Sequence, residues 1–201
     1  MNIDPRDARC RPFYDRLART RLPLVVHCGE EQAVPGAARE AFGNPLLMRV
    51  PLEAGVRVIV AHCASLGHAL DTDKPSAPRA PAFELFARMM DERAHEALLL
   101  GDISAMFQIN RKAGIARMLI EREAWHARLL HGSDYPLPGI PILTRPQRLV
   151  DAGLLDAKAV PTLLTLREHN PLLFDFVLKR SLRAGARGLP AAVFETRRHF
   201  A

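Results

Sequence analysis

The chain has 201 residues, 48% of them hydrophobic and 25% charged, ordinary values for one globular domain that can bury a sizeable core. No run reaches the roughly 18 apolar residues of a membrane span, and the N-terminus MNIDPRDARCRPF lacks the apolar stretch of a secretory signal. The formal net charge of +6 is concentrated between Lys179 and the C-terminus, where Lys179, Arg180, Arg183, Arg187, Arg197 and Arg198 face only Glu195; with no aromatics interleaved, this predicts a solvated basic helical tail from about residue 179 and argues against a nucleic-acid groove.

Strand-like and helical segments alternate along the chain. "PLVVHC" (Pro23–Cys28), "VRVIVAHC" (Val56–Cys63), "ALLLGDIS" (Ala97–Ser104) and "ARLLHGSD" (Ala127–Asp134) are short apolar runs bounded by polar or glycine-containing turns, the composition of strands buried on both faces. "NPLLMRVPLEAG" carries an asparagine cap, a proline at the first position and Gly55 as a stop. In "APAFELFARMMDERAHE" helical spacing places Phe83, Phe86, Ala87 and Met90 on one face, and in "GIARMLIERE" it does the same for Ile115, Met118 and Leu119. Two further helices are expected in "AKAVPTLLTLREH" and "NPLLFDFVLKRSLR". Such alternation predicts βαβ units and a parallel sheet.

The four strands end on His27, His62, Asp102 and Asp134, at intervals of 35, 40 and 32 residues, each about one βα unit. In parallel sheets of this kind the functional groups gather at the carboxyl ends of the strands. A buried imidazole without partners costs free energy, so two strands that both stop on His-Cys call for an explanation. Side-chain alternation sets His27 with Val25, His62 with Val60 and Val58, and Asp134 with Leu130, which would point all three into one mouth; His131 would face the helices. Two histidines and an aspartate converging there suit a divalent metal, most readily zinc. Alternatively, the histidines only hydrogen-bond loop backbone.

The loop "SLGHALDTDKPSAPRAP" after His62 is long and proline-rich, and it is expected to be a substrate lid or a disordered insertion, with His68 in solvent. Glu30 and Asp102 are candidates for substrate contact. Trp125 and His126 are expected to pack. The three cysteines, Cys10, Cys28 and Cys63, are an odd number without CxxC spacing, which suggests reduced thiols in a cytoplasmic protein. Cys28 and Cys63 would serve as small buried hydrophobes.

"VVHCGE", "VIVAHCAS", "LLLGDIS", "LLHGSDYPLP" and "EHNPLLFDFV" together resemble strands five to eight, and the helix after strand eight, of the amidohydrolase superfamily, in its amidohydrolase-related branch. The resemblance covers the chain from Asn2 to Arg183. It implies an α/β fold, the C-terminal half (strands 5–8) of a (β/α)8 TIM-type barrel, forming a single partial domain over residues 1–201. It further implies a zinc-type ion held by His27, His62 and Asp134, with Asp134 and His62 as catalytic groups. Glu30 echoes a glutamate that assists protonation in adenosine-deaminase-like relatives. The implied activity is hydrolysis of a C–N or C–O bond of a small molecule, or a related decarboxylation.

The family's His-x-His pair of strand one occurs nowhere in the 201 residues, and about 35 residues per unit leave room for half a barrel. The expectation is therefore an incomplete chain, a truncated product or a start misplaced at Met1, that pairs with itself or with another half through an open apolar face made of Val25, Val58, Val60, Leu98, Leu100 and Leu130. The alternative is a noncatalytic half-barrel or partner module.

Overall fold

A computed structural model of the chain describes residues 3–30 and 40–200. They fall into two compact units: one runs to Asp102 and takes in the residues from Arg197 onward, and the other spans Ile103–Thr196. The fold is mixed α/β, and among the described residues no helix is long and apolar enough to cross a membrane.

The first unit contains α1 (Arg11–Thr20), β1 (Leu24–His27), α2 (Arg49–Glu53), β2 (Val58–Ala61), β3 (His68–Leu70), β4 (Arg79–Pro81), α3 (Ala82–Asp91) and β5 (Leu99–Asp102). The strands β1, β2 and β5 lie side by side and parallel, as continuous β-branched runs separated by helices require. In register, Leu24 pairs with Val58 and His27 with Ala61, while Val58 pairs with Leu99 and Val60 with Gly101. Asn44 caps the turn before α2, its side-chain oxygen accepting from the Leu46 N–H at 3.0 Å, and Gly55 ends the segment with φ +80, as the capping pattern predicts. On α3 the expected apolar face is buried, and Leu85 and Met89 join it. Arg57 Nη1 donates to the His199 carbonyl at 2.8 Å, which fastens the last residues to this unit.

The segment expected to be a lid is an antiparallel hairpin of β3 and β4, with Ala69 opposite Ala80. His68 is exposed, as expected. Asp71, 1% exposed, accepts from both terminal nitrogens of Arg88 on α3 at 2.6 and 3.0 Å, so the hairpin is bolted to a helix.

The apolar face expected to mediate pairing is not one surface: Val25 pairs with Ile59 and Ile59 with Leu100, so Val25 and Leu100 lie on the side of the sheet opposite Val58 and Val60. Val58, Val60 and Leu100 are buried, whereas Val25 on β1 is 57% exposed.

The second unit contains α4 (Ala113–Glu121), β6 (Leu129–Leu130), α5 (Pro146–Asp151), α6 (Val160–His169), α7 (Pro171–Ser181), β7 (Arg183–Ala184) and β8 (Arg187–Gly188). Leu119, Trp125, Phe174, Leu178 and Val193 are almost fully buried in its core. The face of α4 that is buried is Ala116, Leu119 and Ile120 rather than Ile115, Met118 and Leu119. With apolar residues at five of six consecutive positions, helical spacing permits either stripe, and packing selects one. Trp125 and His126 are buried packing residues, the His126 ring meeting the Leu119 carbonyl at 3.0 Å.

The basic tail is not a helix. After α7, the chain forms the short β7–β8 pairing and two 3-10 turns, because Gly185 (φ +60) allows a tight reversal and Pro190 interrupts helical hydrogen bonding. Lys179, counted with the tail, lies in the last turn of α7 and is 0% exposed.

Candidate functional site

The parallel register sets which strand-end side chains can meet. His27 pairs with Ala61, and continuing the β2–β5 pairing by one residue sets Ala61 beside Asp102. His27, Ala61 and Asp102 therefore share one face of the sheet. By alternation His62 belongs to the opposite face, so the expected single column of His27 and His62 side chains is incorrect. The strand, however, ends at Ala61. His62, Cys63 and Ala64 then take φ values of 54, 48 and 51, a left-handed turn that carries the imidazole back across the strand end. The two rings come to 5.5 Å between centroids at an interplanar angle of 68°.

Three successive left-handed L-residues cost about 1–2 kcal/mol each, and strain of this kind concentrates at functional sites. Several contacts hold the turn. The Ser65 N–H donates to the His62 carbonyl at 2.9 Å, Cys63 and Ala64 are fully buried, and the Cys63 thiol donates to the Asp102 carbonyl at 3.3 Å. The His62 N–H approaches Asp102 Oδ2 at 3.5 Å, and His62 Nδ1 lies 3.9 Å from the same oxygen. His62 and Asp102 side chains are 13% and 15% exposed, so the group is shielded but reachable.

Two glycines bring the loop after β1 against the loop after β2. Gly29 has φ +87, and a Cβ there would collide with the Leu66 carbonyl oxygen. Gly67 has φ +79, and a Cβ there would collide with the Glu30 Cβ. The approach lets the Glu30 N–H donate to the Leu66 carbonyl at 3.0 Å and the Gly29 N–H to the Gly43 carbonyl at 2.8 Å. Glu30 thus sits on the rim of the loop that follows His27.

Burial pushes the Cys28 thiol up to about 12 and the Cys63 thiol well above its ordinary value, the nearby Asp102 adding to the second shift. Neither is a nucleophile at neutral pH; both are packing residues of the turns that present the histidines.

A tetrahedral ion roughly 2.0–2.1 Å from one nitrogen of each ring would set two imidazole centroids about 5 Å apart, close to the observed 5.5 Å. The spacing of the two rings is therefore compatible with two positions of a zinc-type site. Among the described residues no group of three or more His, Cys, Asp or Glu is arranged to hold an ion. Asp134 belongs to the second unit, with φ 56, and its carbonyl accepts from the Leu137 N–H at 3.0 Å.

A second polar cluster lies in the second unit. Lys179 Nζ donates to Asp175 Oδ2 at 2.6 Å and to the Gly132 carbonyl at 2.6 Å, and His131 Nδ1 lies 3.9 Å from the same carboxylate oxygen. The His131 ring packs against Phe176 and Phe194 at 5.7 and 5.3 Å. The sequence signal for this cluster is an oppositely charged i, i+4 pair within an apolar helix.

No family model matches the chain, and searches of curated proteins and of solved structures find no match.

Proposed function

We propose that the chain is a metal-dependent hydrolase of the amidohydrolase type, acting on a C–N or C–O bond of a small molecule, with His27 and His62 as two of the ligands of a divalent ion, most readily zinc. The observation that supports this reading is the meeting of two imidazoles, 5.5 Å apart, at the carboxyl ends of adjacent parallel strands. It rests also on the strained left-handed turn without which His62 would face away. In the same reading the parallel strands belong to half of a (β/α)8 barrel, and β1, with Val25 exposed, is the edge to which further strands would add.

An ion bound there would supply activation of water near neutral pH and polarisation of the scissile group. The chain's own residues would do the rest. His27 is fixed by the β1–β2 register, and His62 by the turn that Asp102 braces. Glu30, on the adjoining loop, is within the part of the fold a substrate would meet. A role for Asp134 as ligand and general base rests on the sequence resemblance alone. The remaining donors would come from outside the described residues.

Hydrolysis of a panel of small esters, amides and lactones, measured with added zinc and again with a chelator, tests the reading. Zinc-dependent turnover that His27→Ala and His62→Ala both abolish is the expected result. Turnover indifferent to the chelator, or retained in both variants, contradicts it.

A further inference from the structure

The sequence pattern makes Asp102 a candidate for substrate contact, but its carboxylate is turned to the His62 turn. Oδ2 lies 3.5 Å from the His62 backbone nitrogen and 3.9 Å from His62 Nδ1, and the Asp102 carbonyl accepts the Cys63 thiol at 3.3 Å. One residue at the end of β5 thus meets the turn three times.

The consequence is chemical as well as mechanical. A neutral imidazole carries one N–H and one lone pair, and the neighbour of each nitrogen decides which is which. An anion 3.9 Å from Nδ1 repels a lone pair there and attracts an N–H. A ligand histidine whose other nitrogen donates toward a carboxylate is held in one tautomer and one ring orientation.

We propose that Asp102 is a positioning residue: it holds His62 in the Nδ1–H tautomer, so that Nε2 presents the lone pair that binds the ion. This deepens the metal reading of the His27–His62 pair and rests on it, whereas the tautomer itself is a property of the metal-free chain. Asp102→Asn retains an oxygen acceptor beside Nδ1, while Asp102→Ala removes it.

Long-range 1H–15N spectra of the imidazoles, taken on the full metal-free chain at a pH where histidine is neutral, test this directly. The His62 signals are identified by their loss in His62→Gln. The expected result is a protonated-type shift at Nδ1 and a lone-pair-type shift at Nε2 in the wild type. That pattern persists in Asp102→Asn and reverts toward Nε2–H in Asp102→Ala. Zinc binding should weaken about 10–100-fold in Asp102→Ala and recover in part in Asp102→Asn. An Nε2–H tautomer in the wild-type chain overturns the assignment without any variant having to fold. Nδ1–H that persists in Asp102→Ala likewise overturns the role of Asp102, whereas Nδ1–H that is lost in Asp102→Ala, with no zinc bound by the wild type, upholds that role and overturns the metal reading alone.

Discussion

Lys179 donates to Asp175 Oδ2 at 2.6 Å from a position with no solvent exposure, one turn along the same helix, and the same ammonium reaches the Gly132 carbonyl. The pair therefore ties α7 to the segment that begins the Gly132–Asp134 loop. Removing one member of such a pair leaves a charge buried without its main partner, at a cost of about 3–5 kcal/mol. Lys179→Met should lower the unfolding free energy by that amount in denaturant titrations, and pairing it with Asp175→Leu should recover much of the loss. A single substitution worth less than about 1 kcal/mol, the range of a surface ion pair, would show that the lysine is not closed off from water.

The close approach of the two histidine-bearing loops depends on Gly29. Gly29→Ala would drive a Cβ into the Leu66 carbonyl oxygen at a φ of +87, and so should destabilise the chain by more than about 1–3 kcal/mol, because strain and a backbone clash act together. Gly114, near the start of α4, has nothing within 4 Å of the position a methyl group would take, and Gly114→Ala should stabilise by about 0.5 kcal/mol. Thermal unfolding of the two variants should move in opposite directions. Similar effects from both would contradict the packing described for Gly29.

The Asp71–Arg88 contact should give stability an acid-sensitive component. The Arg88 guanidinium, with Lys74 beside it, holds the Asp71 carboxyl at about 2 against an ordinary 3.8. A depressed carboxyl contributes stability that is fully present above its unfolded value and is lost as pH falls through its folded one. The difference in thermal midpoint between wild type and Arg88→Met should therefore be largest near neutral pH and shrink between about pH 4 and pH 2. A difference that does not change with pH would place the value of Arg88 in packing, not in the ion pair.

The thiols should separate by burial. Cys28 and Cys63 are buried and Cys10 is partly exposed. One adduct, at Cys10, is expected by mass spectrometry after brief alkylation of the folded chain, and three after denaturation. Rapid labelling of Cys63 in the native chain would show that the His62 turn opens.

Much of the sheet is legible in the sequence because a parallel strand is buried on both faces and writes itself as an uninterrupted apolar run. Val58–Ala61 and Leu99–Asp102 fall inside the runs that predict them. The site is legible only in part. That His27 and His62 lie at the ends of neighbouring strands, His27 as the last residue of its strand and His62 just past the end of the next, follows from the repeating run, but the turn that brings them together has neither glycine nor asparagine at its left-handed positions, the residues by which such turns announce themselves. Alternation leaves the register open: His27 pairs with Ala61 and not with His62, so the rings meet by way of the turn and not by a shared column. Lys179 looks like one more charge in a basic tail, because net charge says nothing of which lysine has a carboxylate four residues before it on a buried face. The hairpin after His62 is hidden by its length and its prolines; what orders it is Arg88, on a helix that begins after the loop ends.

The most direct measurement of the central claim is calorimetric titration of zinc into the metal-free chain, alongside His27→Ala, His62→Ala and the double variant. Two imidazoles are fewer than the three or four protein ligands of ordinary zinc sites, so binding should be weak and saturate at one ion per chain. Either single substitution should abolish it, and the double variant should behave like the singles. Absence of binding in the wild type, or binding that survives both substitutions, would contradict the assignment of His27 and His62 as a metal-binding pair.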